Sequence, residues 1–114
     1  MKPEAQRIAI AEACGWALWG SCHWLHNGDP KKKEPSGYAP KTKFPTIVPN
    51  YPCDLNAMAR AVDTLPEDKR IEFTNALVKM FPLGTHMWAQ AVNATAAQRA
   101  EALLRTLNLW EDEA

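Results

Sequence analysis

The sequence has no long hydrophobic run, no excess charge of either sign and few glycines. No stretch approaches the roughly 18 apolar residues that a membrane-spanning helix requires, so we expect no membrane span. Lys+Arg and Asp+Glu are equal at 13 each, so the basic excess typical of general nucleic-acid binding is absent. The five glycines are scattered and form no phosphate-binding loop motif. These absences disfavour a membrane protein, a general nucleic-acid binder and a phosphate-loop enzyme.

Cysteine is also scarce, and its pattern predicts reduced thiols. The three cysteines form no Cys-x-x-Cys pair, and the first seven residues lack the apolar segment of a secretion signal. Cys22, His23 and His26 lie close together, but zinc sites usually add a second ligand pair. We therefore predict neither a metal nor another cofactor, and the sequence alone leaves a metal at these three residues untested.

What is present indicates one small globular domain spanning residues 1–114. Hydrophobic residues make up 46% of the chain, which is enough to build a modest core at this length. Four helices are predicted from capping residues and apolar periodicity. They begin at Pro3, after Asp54, at Pro66 and after Thr95, and Gly15 and Asn108 end the first and the last of them.

Strands are predicted in two places. Residues 16–26 are rich in bulky residues and are followed by the turn signal Asn27-Gly28. Residues 86–92 place apolar side chains on both faces of an extended segment, which is typical of a strand covered on both sides. With the helices, this order predicts an α+β fold: a three-layer α/β/α sandwich with a small, mainly antiparallel sheet.

Residues 29–52 contain six of the nine prolines and a cluster of five lysines. Proline fixes φ and removes a hydrogen-bond donor, so we predict a proline/lysine-rich loop without helix or central strand. Four apolar or aromatic residues are expected to hold the second half of this loop on the core: Phe44, Ile47, Val48 and Tyr51. Residues 111–114 are predicted to be a solvated acidic tail, since acids oppose the dipole at a helix C-terminus.

Two blocks of the sequence resemble a known family. Residues 50–58 (NYPCDLNAM) and 94–107 (ATAAQRAEALLRTL), together with the Gly15-Trp16 pair after the first helix, resemble the phage ABA sandwich domain of small bacteriophage and prophage proteins. The resemblance implies a three-layer α/β/α fold and a phage or prophage origin, hence location in the host cytoplasm. It implies no activity and no catalytic residues.

No arrangement of residues predicts catalysis. A nucleophile needs a base within hydrogen-bond reach and a third group that orients the base. Cys22 and His23 are neighbours in a predicted strand, so their side chains point to opposite faces. Carboxylate pairs are confined to predicted helix surfaces and the tail. We therefore predict that the protein is not an enzyme.

Excess tryptophan favours a binding function, because five indole rings are many for so small a core and tryptophan is a frequent interface anchor. The lysine cluster beside it could hold a phosphate or steer a partner. Ile71 and Val78 lie seven residues apart on one helix face and predict either a helix–helix contact or a self-association patch that would make a homo-oligomer. The candidate binding residues are Trp19, Trp24, His26, Lys31, Lys32, Lys33, Tyr38, Ile71, Val78 and Trp110.

The leading hypothesis is a small non-enzymatic phage accessory protein that binds and modulates a host or phage macromolecule, such as an inhibitor of a host defence system. Spare aromatic residues and the long proline/lysine segment motivate it. Two alternatives stay open: a protein that sequesters a nucleotide signal, and a virion or assembly component. The identity of the protein partner or nucleotide ligand is not encoded in any motif of the chain.

Overall fold

The computed structural model describes residues 1–22, 34–42, 44–81 and 87–112. Within these ranges the chain is a mixed helix-and-sheet structure with a small antiparallel sheet, which confirms the predicted α+β class. The strands, in sheet order, are β1 Ala17–Cys22, β2 Glu34–Tyr38 and β3 Thr46–Ile47. The helices are α1 Pro3–Ala13, a 3-10 helix Tyr51–Cys53, α2 Leu55–Asp63, α3 Glu67–Lys79, α4 Met87–Val92 and α5 Ala96–Thr106. No helix in the described ranges combines the length and apolar character needed to cross a membrane.

Helix α5 lies at the centre of the fold. Helices α1, α2 and α3 and the 3-10 helix all pack against it, and the helices contact one another more extensively than they contact the sheet. Small residues let these neighbours approach closely, and α5 is therefore buried on most of its circumference. Its buried residues are Ala96, Ala100, Ala102, Leu103, Leu104 and Thr106.

The predicted helix ends are confirmed. The Asp54 carboxylate accepts from the Ala57 N–H at 3.1 Å and begins α2. At α5, the Gln98 N–H donates to Thr95 Oγ1 at 3.1 Å and the Thr95 N–H donates to Gln98 Oε1 at 2.9 Å. Asn108 ends α5 in the left-handed region at φ 59°.

The strand predicted over residues 86–92 is wrong. Met87–Val92 form helix α4, which packs against α3, and His86 lies outside the described residues. Short apolar segments fit the two-residue and the 3.6-residue periods equally well. Helix-favouring methionine, alanine and glutamine decide the outcome here.

The prediction that the proline-rich segment excludes a central strand is also wrong. Strands β2 and β3 both lie within residues 29–52, and β2 is the middle strand although it contains Pro35. The pairing of Ser36 with Ile47 and of Gly37 with Thr46 places Pro35 opposite Val48. The Val48 N–H donates to the Pro35 carbonyl at 2.9 Å, so Pro35 makes one of the two bonds expected of such a pair.

Arg7 supplies the donor that Pro35 lacks. In a complete antiparallel pair the N–H of residue 35 would donate to the Val48 carbonyl. That carbonyl instead accepts from the Arg7 guanidinium, through Nε at 3.0 Å and through Nη2. Arg7 also donates to the Pro49 carbonyl at 3.2 Å and pairs with Glu34 at 3.2 Å. A side chain from α1 therefore completes the β2–β3 hairpin.

The contact between β1 and β2 depends on a bulge and on a glycine. Leu18 and Gly20 pair with the consecutive residues Gly37 and Ser36, so Trp19 is the extra residue of a β-bulge. A Cβ on Gly37 would lie 2.3 Å from the Ala17 carbonyl oxygen and 2.7 Å from Leu18 Cα. Only glycine permits the two backbones to approach this closely.

Candidate functional site

The turn between β2 and β3 forms a compact hairpin tip, defined here as Tyr38–Thr42 with Phe44. The Ala39 carbonyl accepts from the Thr42 N–H at 3.1 Å and from Thr42 Oγ1 at 2.8 Å. Lys41 adopts a left-handed conformation at φ 65°, which closes the turn at a conformational cost for a non-glycine residue. The described part of the tip is thus held by its own hydrogen bonds.

The hairpin tip presents two aromatic side chains to solvent. Tyr38, a predicted binding residue, is 41% exposed, and Phe44 is 82% exposed. The prediction that this segment is held on the core is wrong for Phe44. It is confirmed for Val48, which is fully buried, and for Tyr51, which is 5% exposed. Burying a phenylalanine side chain stabilises a fold by about 1.5–3 kcal/mol, and this fold does not use Phe44 in that way.

A cleft of about 270 Å³ lies beside the base of the hairpin tip. The walls combine rings, small apolar groups and polar side chains contributed by the end of α1, the hairpin, the 3-10 helix and α2. The lining residues are Cys14, Trp16, Ala39, Pro40, Pro49, Tyr51, Arg60, Ala61 and Thr64. Gly15, with φ 93°, lets the chain turn from α1 into this wall and leaves room for Pro40.

The polar groups of this cleft are uncharged except for Arg60. Burial raises the pKa of the Cys14 thiol, and a hydrogen bond from Thr64 opposes the shift in part. Burial also raises the pKa of Tyr51, with Cys14 adding to the shift and a hydrogen bond with Trp16 and the charge of Arg60 opposing it. Cys14 is therefore a protonated thiol at neutral pH and lacks the thiolate character of an activated nucleophile.

A second concave surface, the α2–α3 groove, is lined by Leu55, Met58, Ala59, Val62, Asp63, Phe73 and Arg99 and has a volume of about 410 Å³. Helices α2 and α3 both pack on α5 but make little contact with each other, which opens the groove. Leu55 is 53% exposed at its edge. The Arg99 guanidinium donates to the carbonyls of Ala94 at 3.1 Å and Val92 at 2.9 Å, so it is fixed in the wall.

Ile71 and Val78 do not form the predicted surface patch. Val78 is buried at 5% exposure, because α3 turns that face towards its helical neighbours, whereas Ile71 is 57% exposed on its own. Val78 therefore makes the helix–helix contact that was one of the two predicted alternatives. The other alternative, a surface patch formed by Ile71 and Val78 together, is wrong.

Trp110, another predicted binding residue, is half-buried and engaged within the chain. Its Nε1 donates to Asp112 Oδ1 at 3.0 Å, and the Arg105 guanidinium lies 5.1 Å from its ring centroid. Arg105 also pairs with Glu101 at 3.1 Å and with Asp112 at 3.7 Å. The acidic tail therefore contacts α5 through Asp112, although that side chain is largely exposed.

The remaining predicted binding residues cannot be placed. Trp19 lies in β1, but its side chain is not described. Trp24, His26 and Lys31–Lys33 fall outside the described residues, as does His23, one of the three residues at which a metal was left untested. Within the described ranges no three His, Cys, Asp or Glu side chains come together. That finding leaves a metal at Cys22, His23 and His26 a matter for experiment.

Sequence reasoning missed the cleft. Trp16, Tyr51 and Arg60 come from three separate elements, and no spacing in the sequence relates them. A weak signal was present in the Gly15-Trp16 pair, since a glycine that ends a helix fixes where the following ring is placed. Phe44 was noticed but assigned to the core, because exposure of a single aromatic residue has no sequence pattern.

Comparison with known proteins adds no relative. No family model, no curated protein and no solved structure significantly matches the chain.

Proposed function

We propose that the chain is a non-enzymatic binding protein whose hairpin tip contacts a partner protein and modulates it. The observation that carries the proposal is the 82% exposure of Phe44 beside the 41% exposure of Tyr38 on a hydrogen-bonded turn. Aromatic side chains are frequent anchors of protein interfaces because they bury a large area with few rotatable bonds.

The anchoring of the hairpin supports this role. Arg7 bonds the carbonyls of Val48 and Pro49 and pairs with Glu34, so both strands are tied to α1. A tip that is ordered before binding loses less conformational freedom when a partner arrives. An exposed aromatic on such a support is therefore better suited to recognition than the same residue on a flexible chain.

A protein partner fits the tip better than a nucleic acid. The chain has zero formal net charge, and Lys41 is the only cation among the described residues of the tip. Duplex binding draws most of its affinity from several phosphate contacts. The resemblance to phage proteins motivates a host or phage protein as the partner, and inhibition of a host defence system as the form of modulation.

Photo-crosslinking tests the proposal. We would place a photoreactive phenylalanine analogue at position 44, and in a matched chain at position 71, which is exposed and apolar but lies on α3. Irradiation in lysate of a bacterium chosen as the proposed host should give a defined adduct at position 44 and none at position 71. The adduct band would be identified by mass spectrometry.

Purified partner then supplies the decisive measurement. Phe44→Ser should weaken binding by about tenfold or more, whereas Ile71→Ser should bind like the wild type, and the partner's own activity should change only with the wild type and Ile71→Ser. Equal adducts at both positions, or wild-type affinity of Phe44→Ser, would overturn the proposal.

A further inference from the structure

We propose that the cleft lined by Trp16, Tyr51 and Arg60 is a binding site for a small organic anion that carries one flat ring. This site is separate from the hairpin tip, and its ligand would be a small molecule such as an aromatic carboxylate or an aromatic phosphate. The inference does not depend on the protein-binding function proposed above.

The shape of the cleft favours a ring. Its walls contain the indole of Trp16, the phenol of Tyr51, the pyrrolidine rings of Pro40 and Pro49 and the methyl group of Ala61. Tyr51 is almost fully buried and bonds with Trp16, so the two aromatic side chains are held in place. Flat aromatic surfaces of this kind stack well on planar ligands.

The charge of the cleft favours an anion. Arg60 is exposed at the rim, lies near enough to influence Tyr51 electrostatically, and forms no ion pair with a carboxylate anywhere in the described ranges. No acidic residue lines the cleft, and its thiol and phenol are neutral at pH 7. A guanidinium without a counter-charge beside apolar walls suits a carboxylate or phosphate, which it can bind through two donors.

The volume sets an upper limit on the ligand. At about 270 Å³ the cleft is slightly below the range of roughly 300–1,000 Å³ that drug-sized ligands occupy. A single ring with one anionic group fits this space. A dinucleotide signal would be too large to enter whole, so the cleft does not support sequestration of such a ligand.

The larger α2–α3 groove does not share this character. Asp63 and Arg99 both line it, so it contains charges of both signs. Arg99 is moreover bonded to the carbonyls of Val92 and Ala94. The α2–α3 groove therefore lacks the combination of an uncompensated cation with two aromatic rings that the cleft has.

Nuclear magnetic resonance titration of the full chain tests the inference with simple probes. Phenyl phosphate and benzoate each combine a ring with an anion, phenol supplies the ring alone, and inorganic phosphate supplies the anion alone. We expect both ring-bearing anions to bind with dissociation constants in about the millimolar range, and the stronger of the two identifies the preferred anionic group. Shifts should concentrate at the Trp16 indole and the backbone amides of Cys14, Tyr51 and Thr64.

Two matched arginine variants separate the site from general charge attraction. Arg60→Gln should weaken phenyl phosphate binding about fivefold or more, while Arg70→Gln, which removes an exposed arginine from α3, should leave it unchanged. Unaltered spectra outside the cleft would show that both variants fold. Shifts scattered over the surface, equal binding of phenol, equal losses in both variants, or no shifts at the solubility limit would each overturn the proposal.

Discussion

At the residue scale, Gly37 is a position where the fold leaves no space for a side chain. The missing side chain is what lets β2 approach β1, because a Cβ would meet the Ala17 carbonyl oxygen at 2.3 Å. Backbone atoms cannot rotate away as a flexible side chain can. The bulge at Trp19 lies opposite the same residue, so the local path of both strands depends on it.

We expect Gly37→Ala to lower the free energy of unfolding by about 1–3 kcal/mol, as overpacked sites do. Thr46→Ala is the matched control, since Thr46 is the exposed partner of Gly37 in β3 and should change stability by less than about 0.5 kcal/mol. Urea unfolding followed by tryptophan fluorescence measures both. Equal stability of the two variants would contradict the close approach of β1 and β2.

At the element scale, the β2–β3 hairpin depends on a donor from α1. Arg7→Met should cost about 1–3 kcal/mol, because the Val48 carbonyl loses its donor. Pro35→Val restores a backbone N–H opposite that carbonyl. In the Arg7→Met background it should therefore recover part of the lost stability, while in the wild type it should be neutral or slightly destabilising.

A double-mutant cycle measured by chemical denaturation checks this exchange of donors. Pro45→Val in the Arg7→Met background is the control, because Pro45 precedes β3 and has no assigned partner across the sheet. The Arg7–Glu34 ion pair is lost in every Arg7→Met chain, so recovery is expected to be incomplete. Additive effects of Arg7→Met and Pro35→Val would rule out the substitution of one donor for the other.

At the scale of the whole molecule, α5 links the helical elements into one core. Leu104 is fully buried there, and its truncation should destabilise every element that packs on α5. We expect Leu104→Ala to cost about 2–5 kcal/mol, with circular dichroism and tryptophan fluorescence reporting the same transition. Leu109→Ala removes a side chain that is 41% exposed and should cost less than about 1 kcal/mol. Separate transitions for the two probes would contradict a single cooperative core.

The sequence predicts the helical half of this molecule well, for local reasons. Asp54, the Thr95–Gln98 capping box and Asn108 each act within a few residues of their own positions. The strands were predicted less well: Pro35 is tolerated in β2 because a residue 28 positions earlier replaces its donor, and no local rule contains that information. The periodicity of residues 86–92 was ambiguous in principle, because a six-residue helix is too short to show its period.

The candidate sites show the same contrast between features set by local sequence and features set by distant residues. Tyr38, one of the candidate binding residues, is exposed as a binding residue should be. The cleft was not predicted, since the residues that line it belong to four separate elements and meet only through tertiary packing. For Val78 the spacing left a helix–helix contact and a surface patch as alternatives, because spacing gives the face of a helix but not whether a neighbour covers it.

The replacement of a strand's own amide by the guanidinium of Arg7 has an evolutionary corollary. Homologous chains that keep proline at position 35 should keep arginine at position 7, whereas chains with another amino acid at 35 are released from that constraint and can drift there. Covariation between two sites so distant along the polypeptide would record this arrangement in any set of orthologues, without a single structure being determined.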